Sequence, residues 1–170
     1  KPKLPGARDI RINDDAITLL IQHTQSPYLP SLIQLALLTS MRRSELIKLQ
    51  WEDIDWSKQL IHLKDTKNGE SRQIPIFDKV KVILESIKGD TGPLFPIKEH
   101  AVSVAFRRTV KRSGLVNISF HTLRHEAITR FFEVGLTIPE VASISGHKSW
   151  AMLRRYTHLQ SKTFINKLNN

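Results

Sequence analysis

Cysteine is absent from the 170 residues. Disulfide stapling, thiolate chemistry and Cys-bound zinc are thereby excluded, and a reducing cytoplasmic setting fits. The chain also lacks any run near the roughly 18 apolar residues that a spanning helix needs, and no charged-then-apolar signal segment leads it. Acidic residues are scarce: 16 Asp and Glu face 26 Lys and Arg, a formal charge of +10 with a pI near 10.1. That excess points to nucleic acid as partner more than to an anionic membrane. Internal repeats and low-complexity tracts are missing too. The length suits one domain, or two small lobes, with a real core.

The loose basic opening Lys1-Pro2-Lys3-Leu4-Pro5-Gly6, not preceded by Met, reads as a linker over 1–12. Asn13 or Asp14 can cap a first helix carrying Ile17, Leu20 and Ile21, and a second is expected from Leu32 to Met41. Helical character continues from Ser44 to Leu49. Strand-like alternation follows Trp51–Trp56 over Gln59–Leu63 and again over Ser71–Ile76, with an Asn-Gly turn signal between at Lys67-Asn68-Gly69-Glu70. Asp78–Ile87 and His100–Arg112 read as helices around a Gly/Pro-punctuated loop at Gly89–Pro96. Thr137 should cap a short helix through Ile144, and Ser149 should start another that carries Tyr156.

A central helix over Thr122–Val134 is the informative element. At about 100° per residue, Leu123, Ala127, Ile128, Phe131, Phe132 and Val134 fill one arc, and Thr122, Glu126, Thr129, Arg130 and Glu133 fill the opposite one. His121 and Arg124 fall inside the apolar arc, with His125 on its edge. A guanidinium aimed at the interior is costly unless something polar or anionic meets it. The face therefore hides an ion pair or lines a cleft that receives an anion, and the rest of the chain must decide between the two.

Taken together, Thr39-Ser40-Met41-Arg42-Arg43-Ser44-Glu45-Leu46, Thr66-Lys67, His121-Thr122-Leu123-Arg124, Gly146-His147 and Tyr156, nine positions past His147, resemble the tyrosine recombinase family of phage-type integrases. The match covers nearly the whole chain. It implies an α+β, mainly α, helical catalytic domain with a small antiparallel sheet or hairpin over 13–170, a tail at 159–170, and an N-terminal DNA-binding domain beyond the linker. Two departures stand out: Ser40 where the family usually has glycine, and Ser145 where it usually has leucine. Neither is expected to touch a reacting group.

The resemblance implies a catalytic set of Arg42, Lys67, His121, Arg124, His147 and Tyr156 that breaks and rejoins double-stranded DNA at a specific site. Tyr156 would attack a backbone phosphorus, giving a covalent 3′-phosphotyrosyl intermediate. Arg42 and Arg124 would hold the charge on the non-bridging oxygens, so that neither metal nor cofactor is called for. Lys67, on a hairpin tip, is the family's candidate general acid, and His121 and His147 would add hydrogen bonds or manage a proton. Glu45 is read as orienting a site group or as a surface ion pair, and His125 as a structural hydrogen bond or a support to the site. Arg43, Arg107, Arg108, Lys111 and Lys148 are candidate DNA contacts, with a solvated face as the alternative for the Arg107–Arg112 cluster. Family members assemble as four protomers on two DNA sites. The setting is then the cytoplasm of a bacterial or phage-host cell, without membrane or small-molecule substrate.

Three other readings compete. A helix-turn-helix binder would fit Ile128–Tyr156, yet has no need of inward His121 and Arg124. A metallohydrolase would use His121 and His125 as ligands, yet Arg124 between them would repel the ion. A type IB topoisomerase shares the chemistry, but the short boxes look like integrases.

Overall fold

The computed structural model describes residues 10–64, 71–87, 89–159, 164–165 and 167–169. Helix α1, Asp14–Gln22, starts where the Asn13 side chain accepts from Ala16 N at 2.8 Å. Helix α2, Leu29–Thr39, begins a turn earlier than expected, because Pro30 occupies an initial position where its missing N–H is no loss. Its Leu29, Leu32, Ile33, Leu35, Ala36 and Leu37 are all buried, which makes it the core's central rod. Helix α3, Arg43–Lys48, follows, and a single 3-10 turn at Trp51–Asp53 leads into a three-stranded antiparallel sheet. The sheet runs β1 (Ile54–Asp55), β2 (Leu60–Leu63), β3 (Arg72–Pro75), with Ile61 opposite Ile74. The β2–β3 turn expected at 67–70, including Lys67, lies outside the described residues.

Helices α4 (Asp78–Ile87), α5 (Glu99–Ser113), α6 (Phe120–Glu133) and α7 (Ile138–Ser145) match the expected segments to within a residue or two. The last segment, Trp150–Leu159, is a 3-10 helix. Helix α6 packs against α2, α7 and that 3-10 helix, and so joins the main core to a smaller cluster of Ile128, Phe132, Val141, Ala142, Leu153 and Tyr156.

Three of the five residues on the polar arc of α6 are buried. Thr122, Glu126 and Thr129 are 3%, 2% and 6% exposed, whereas Val134, assigned to the apolar arc, is 74% exposed. The cause is tertiary: the chain entering at Arg11 and Ile12 covers this side. Glu126 accepts from Arg11 Nε at 2.9 Å, Ile12 N at 3.2 Å and Arg130 Nε at 2.8 Å, so its charge is fully engaged. Thr122 turns in to cap its own helix, its Oγ1 accepting from Ser119 N at 3.0 Å.

Where α2 ends, Ser40 adopts the left-handed conformation, φ 57°, and its buried hydroxyl has no hydrogen-bond partner among the described residues. A side chain in that conformation costs about 1–2 kcal/mol and an unpaired buried hydroxyl costs about as much again, against a smaller entropic penalty for glycine. Ser40→Gly is therefore expected to stabilise the protein by about 1 kcal/mol, seen as a melting temperature raised by about 2–4 °C. A lower melting temperature would show that the hydroxyl is worth more than the strain.

Candidate active site

Helix α3, strands β2 and β3, the first residue of α5 and the end of α7 meet at an open cleft of about 1400 Å³. Arg42, Glu45, Arg72, Gly146, His147 and Lys148 lie along its wall. Arg124 is 3% exposed and forms no ion pair among the described residues. Its Nη1 donates to Ser40 O at 2.5 Å and its Nη2 to Ser145 O at 2.7 Å, carbonyls that close α2 and α7. The guanidinium thus satisfies two helix ends, where cations are favoured, but no carboxylate contacts it among the described residues. Burial first, and Arg42's charge second, push its pKa down to about 9. It stays a cation at neutral pH, and a desolvated one.

Arg42 and Arg72 share a single carboxylate. Glu45 accepts from Arg42 N at 2.7 Å and Arg42 Nη1 at 3.0 Å, and takes both Arg72 Nη1 and Nη2, at 2.7 and 2.8 Å. Burial alone would raise the Glu45 pKa, but the Arg72 fork and then Arg42 hold it below the usual carboxylate range. The i,i+3 pair with Arg42 is therefore real, and it is not a surface pair: the Glu45 side chain is 10% exposed. Arg42 itself keeps 41% of its side chain open to the cleft.

Arg72 was not singled out from the sequence. It opens the alternating run with Ile74 and Ile76 on its own face, and an arginine in line with two apolar residues is the signal that Arg124 gave. Its Nε donates to Ile144 O at 2.8 Å. Gly146 then has two reasons to be glycine: its φ is +76°, and a Cβ there would sit 3.0 Å from Arg72 Nη1.

The departure at Ser145 does touch a reacting-group candidate. Its hydroxyl lies 2.6 Å from His147 Nδ1. Ser40 likewise reaches the site, through its carbonyl to Arg124. Burial first, then the charges of Arg124, Arg42, His125 and Arg72, push the His147 pKa down to about 4. His121, exposed on the first turn of α6 rather than inside its apolar face, has its pKa lowered by the same kinds of cause: desolvation first, then the charges of Arg124, Arg42 and Arg155. Both imidazoles are neutral at pH 7.

A stability consequence follows from His147. Above pH 6.5 it is neutral folded or unfolded and contributes no pH dependence. Between 6.5 and about 4 the unfolded chain binds a proton that the folded chain refuses, so stability falls as pH falls. The melting temperature is expected to drop across this window, and His147→Gln should flatten the drop. Equal slopes for the two proteins would contradict it.

Tyr156 is 6% exposed, its ring stacked on Phe132 at 5.8 Å with 17° between planes, and Arg155 lies 5.0 Å above the same ring. Its hydroxyl is 2.7 Å from His125 Nδ1. His125, at the edge of the α6 face, thus contacts the tyrosine directly, and its ring meets that of His121 edge-on at 4.6 Å. Of the candidate DNA contacts, Lys148 lines the cleft and is exposed, while Arg43 is paired with Glu99 at 3.0 Å. Arg107, Arg108 and Lys111 are exposed on α5 away from the cleft wall. Arg112 beside them turns to His23 O at 2.9 Å.

The fold is that of integrase catalytic domains: the catalytic domain of bacteriophage HP1 integrase superposes with a TM-score of 0.76 at 22% identity, over 94% of this chain and 93% of that one. A lambda integrase tetramer bound to a Holliday junction gives 0.67 at 24% identity, over 82% and 47%. In sequence, the chain is 38% identical to a shufflon-specific DNA recombinase of Escherichia coli, over 99% of this chain and 45% of that protein. Residues 11–163 match the model of the phage integrase family, and the chain belongs to that family. It spans about half the length of the curated relatives it matches.

Proposed function

We propose that this domain is the catalytic part of a site-specific DNA recombinase that exchanges strands through a 3′-phosphotyrosyl intermediate. The observation that carries the reading is Arg124: a buried cation, uncompensated by any carboxylate contact among the described residues, placed beside Arg42 and the Tyr156–His125 pair. Such a charge is costly to keep unless an anion completes the site, and a DNA phosphate is that anion.

In this reading Arg42 and Arg124 receive the non-bridging oxygens, with Glu45 and Arg72 holding Arg42 in place. His121 and His147, both neutral, donate hydrogen bonds to the same oxygens. The Tyr156 oxygen bonds to phosphorus as its proton passes to His125 Nδ1, and the bond from phosphorus to the 5′-oxygen breaks. Lys67 returns a proton to that oxygen, since an alkoxide leaves poorly. The phosphotyrosine keeps the bond energy, and a second 5′-hydroxyl reverses the step on a new strand.

The E. coli relative is named as a DNA recombinase and lambda integrase forms a tetramer on a Holliday junction. We extend both to this protein: specific duplex DNA as substrate, four protomers on two sites, bacterial or phage-host cytoplasm as setting. Lys148 contacts the backbone at the cleft. The deciding experiment is a nicked suicide duplex carrying the recombination site. It should trap an SDS-resistant protein–DNA adduct, and no adduct on any site-bearing duplex would overturn the reading.

Lys67 has its own test. Lys67→Ala should slow cleavage of ordinary DNA by about 10²–10⁴-fold, yet slow far less the cleavage of a duplex whose leaving 5′-oxygen is replaced by sulfur, which departs without a proton. Equal losses on both substrates would remove Lys67 from the acid role.

A further inference from the structure

Ser145 is the last residue of α7, fully buried, and stands where the family usually carries leucine. Its hydroxyl makes one hydrogen bond among the described residues, to His147 Nδ1 at 2.6 Å. It does not take the carbonyl four residues back, the ordinary partner of a serine in a helix. Its own carbonyl meanwhile accepts from Arg124 Nη2 at 2.7 Å. One residue therefore ties together two groups that flank the proposed phosphate position.

We propose that Ser145 is a positioning residue for His147: its hydroxyl donates to Nδ1, commits the ring proton to Nε2, and presents that N–H to the scissile phosphate. This rests on the recombinase reading for the phosphate, though not for the tautomer. A neutral imidazole has one proton to place. If Nδ1 held it, the serine hydrogen would have no acceptor in a fully buried site, and an unpaired buried donor is costly. If the serine hydrogen goes to Nδ1, every polar atom in the pair is used and Nε2 becomes the donor. The neutral state required is the one that burial and the charges of Arg124, Arg42 and Arg72 impose. His147 is then a hydrogen-bond donor to the phosphate and not a base, which leaves the tyrosine proton to His125. The shared residue also fixes the distance between the Arg124 fork and the His147 donor, because both are anchored within the same turn.

Long-range proton–nitrogen NMR of the DNA-free protein tests the tautomer, with the His147 signals identified by their loss in His147→Gln. The expected result is a pyridine-type Nδ1 and a pyrrole-type Nε2 in the wild type. Ser145→Ala should give mixed tautomers and an upward shift of the His147 pKa, and adduct formation on the suicide duplex slowed on the order of tenfold, the worth of one hydrogen bond, at unchanged DNA affinity. Ser145→Thr, which keeps the hydroxyl, should restore the signature and the rate together. A protonated Nδ1 in the wild type overturns the proposal even if Ser145→Ala does not fold. So does an Ala variant whose spectrum and rate match the wild type. The spectrum is recorded without DNA, so failure of the recombinase reading would appear as the expected tautomer in a protein that forms no adduct. That outcome would overturn the phosphate role of His147 alone.

Discussion

Tyr156→Phe is expected to abolish covalent attachment to DNA while leaving the protein folded. The two properties separate because they depend on different parts of the side chain. The ring stacks on Phe132 within the smaller core cluster and is unchanged by the substitution. The hydroxyl makes the hydrogen bond to His125 and, in the proposed reaction, the bond to phosphorus. Its removal costs on the order of 1 kcal/mol of stability, because His125 remains partly accessible to water. Losing a nucleophile costs far more in rate: adduct formation should fall by at least about 10⁴-fold, to below detection. His125→Gln makes an informative companion. It keeps the tyrosine but removes the proton acceptor, so a slower, measurable rate is expected, lower by roughly 10²–10⁴-fold. The check is an SDS gel of the suicide-substrate reaction beside a melting curve for each variant. An adduct in Tyr156→Phe at wild-type rate would assign the nucleophile elsewhere.

How much of this was legible beforehand depends on the range of each interaction. Helix starts at Asn13 and Thr137 were readable because caps act within four residues. The inward Arg124 was readable because 3.6-residue periodicity is local as well. The buried back of α6 was not, since Glu126 is covered by Arg11 from 115 positions away. Nor was the Glu45–Arg72 fork, which joins α3 to β3 across 27 positions. The 3-10 winding of Trp150–Leu159 also escaped, because its buried residues Leu153 and Tyr156 stand three apart, a spacing that a 3.0 and a 3.6 period both allow. Ser145 is the instructive case. As a sequence departure it was not expected to touch a reacting group; its hydroxyl and carbonyl become chemical only once α6 brings Arg124 to the end of α7.

Arg124→Lys should retain the charge and still lose most of the activity. A lysine has three donors on one atom, whereas the Arg124 fork spans two carbonyls on separate helices, Ser40 O and Ser145 O. The ammonium can satisfy one of them at a time. The other carbonyl is left buried with a weakened bond, so stability is expected to fall by about 2–3 kcal/mol, one charge-assisted hydrogen bond. Desolvation adds a second effect. Burial already lowers the pKa of an always-charged guanidinium to about 9, and the same burial acts on an ammonium that begins about two units lower. A neutral fraction therefore appears near neutral pH, and it stabilises no phosphate charge. Together these should reduce adduct formation by about 10²–10³-fold, the loss seen on removing one preorganised donor at a developing oxyanion. DNA affinity, spread over many surface lysines and arginines, should change little. Lowering the pH separates the causes, because it restores the charged ammonium: if the lost term is charge, activity of the lysine variant should recover toward pH 6.5, whereas a purely geometric loss would not respond. Full activity with an intact melting temperature would mean that Arg124 serves the helix ends alone, and the anion site would then have to be built from Arg42 and its neighbours.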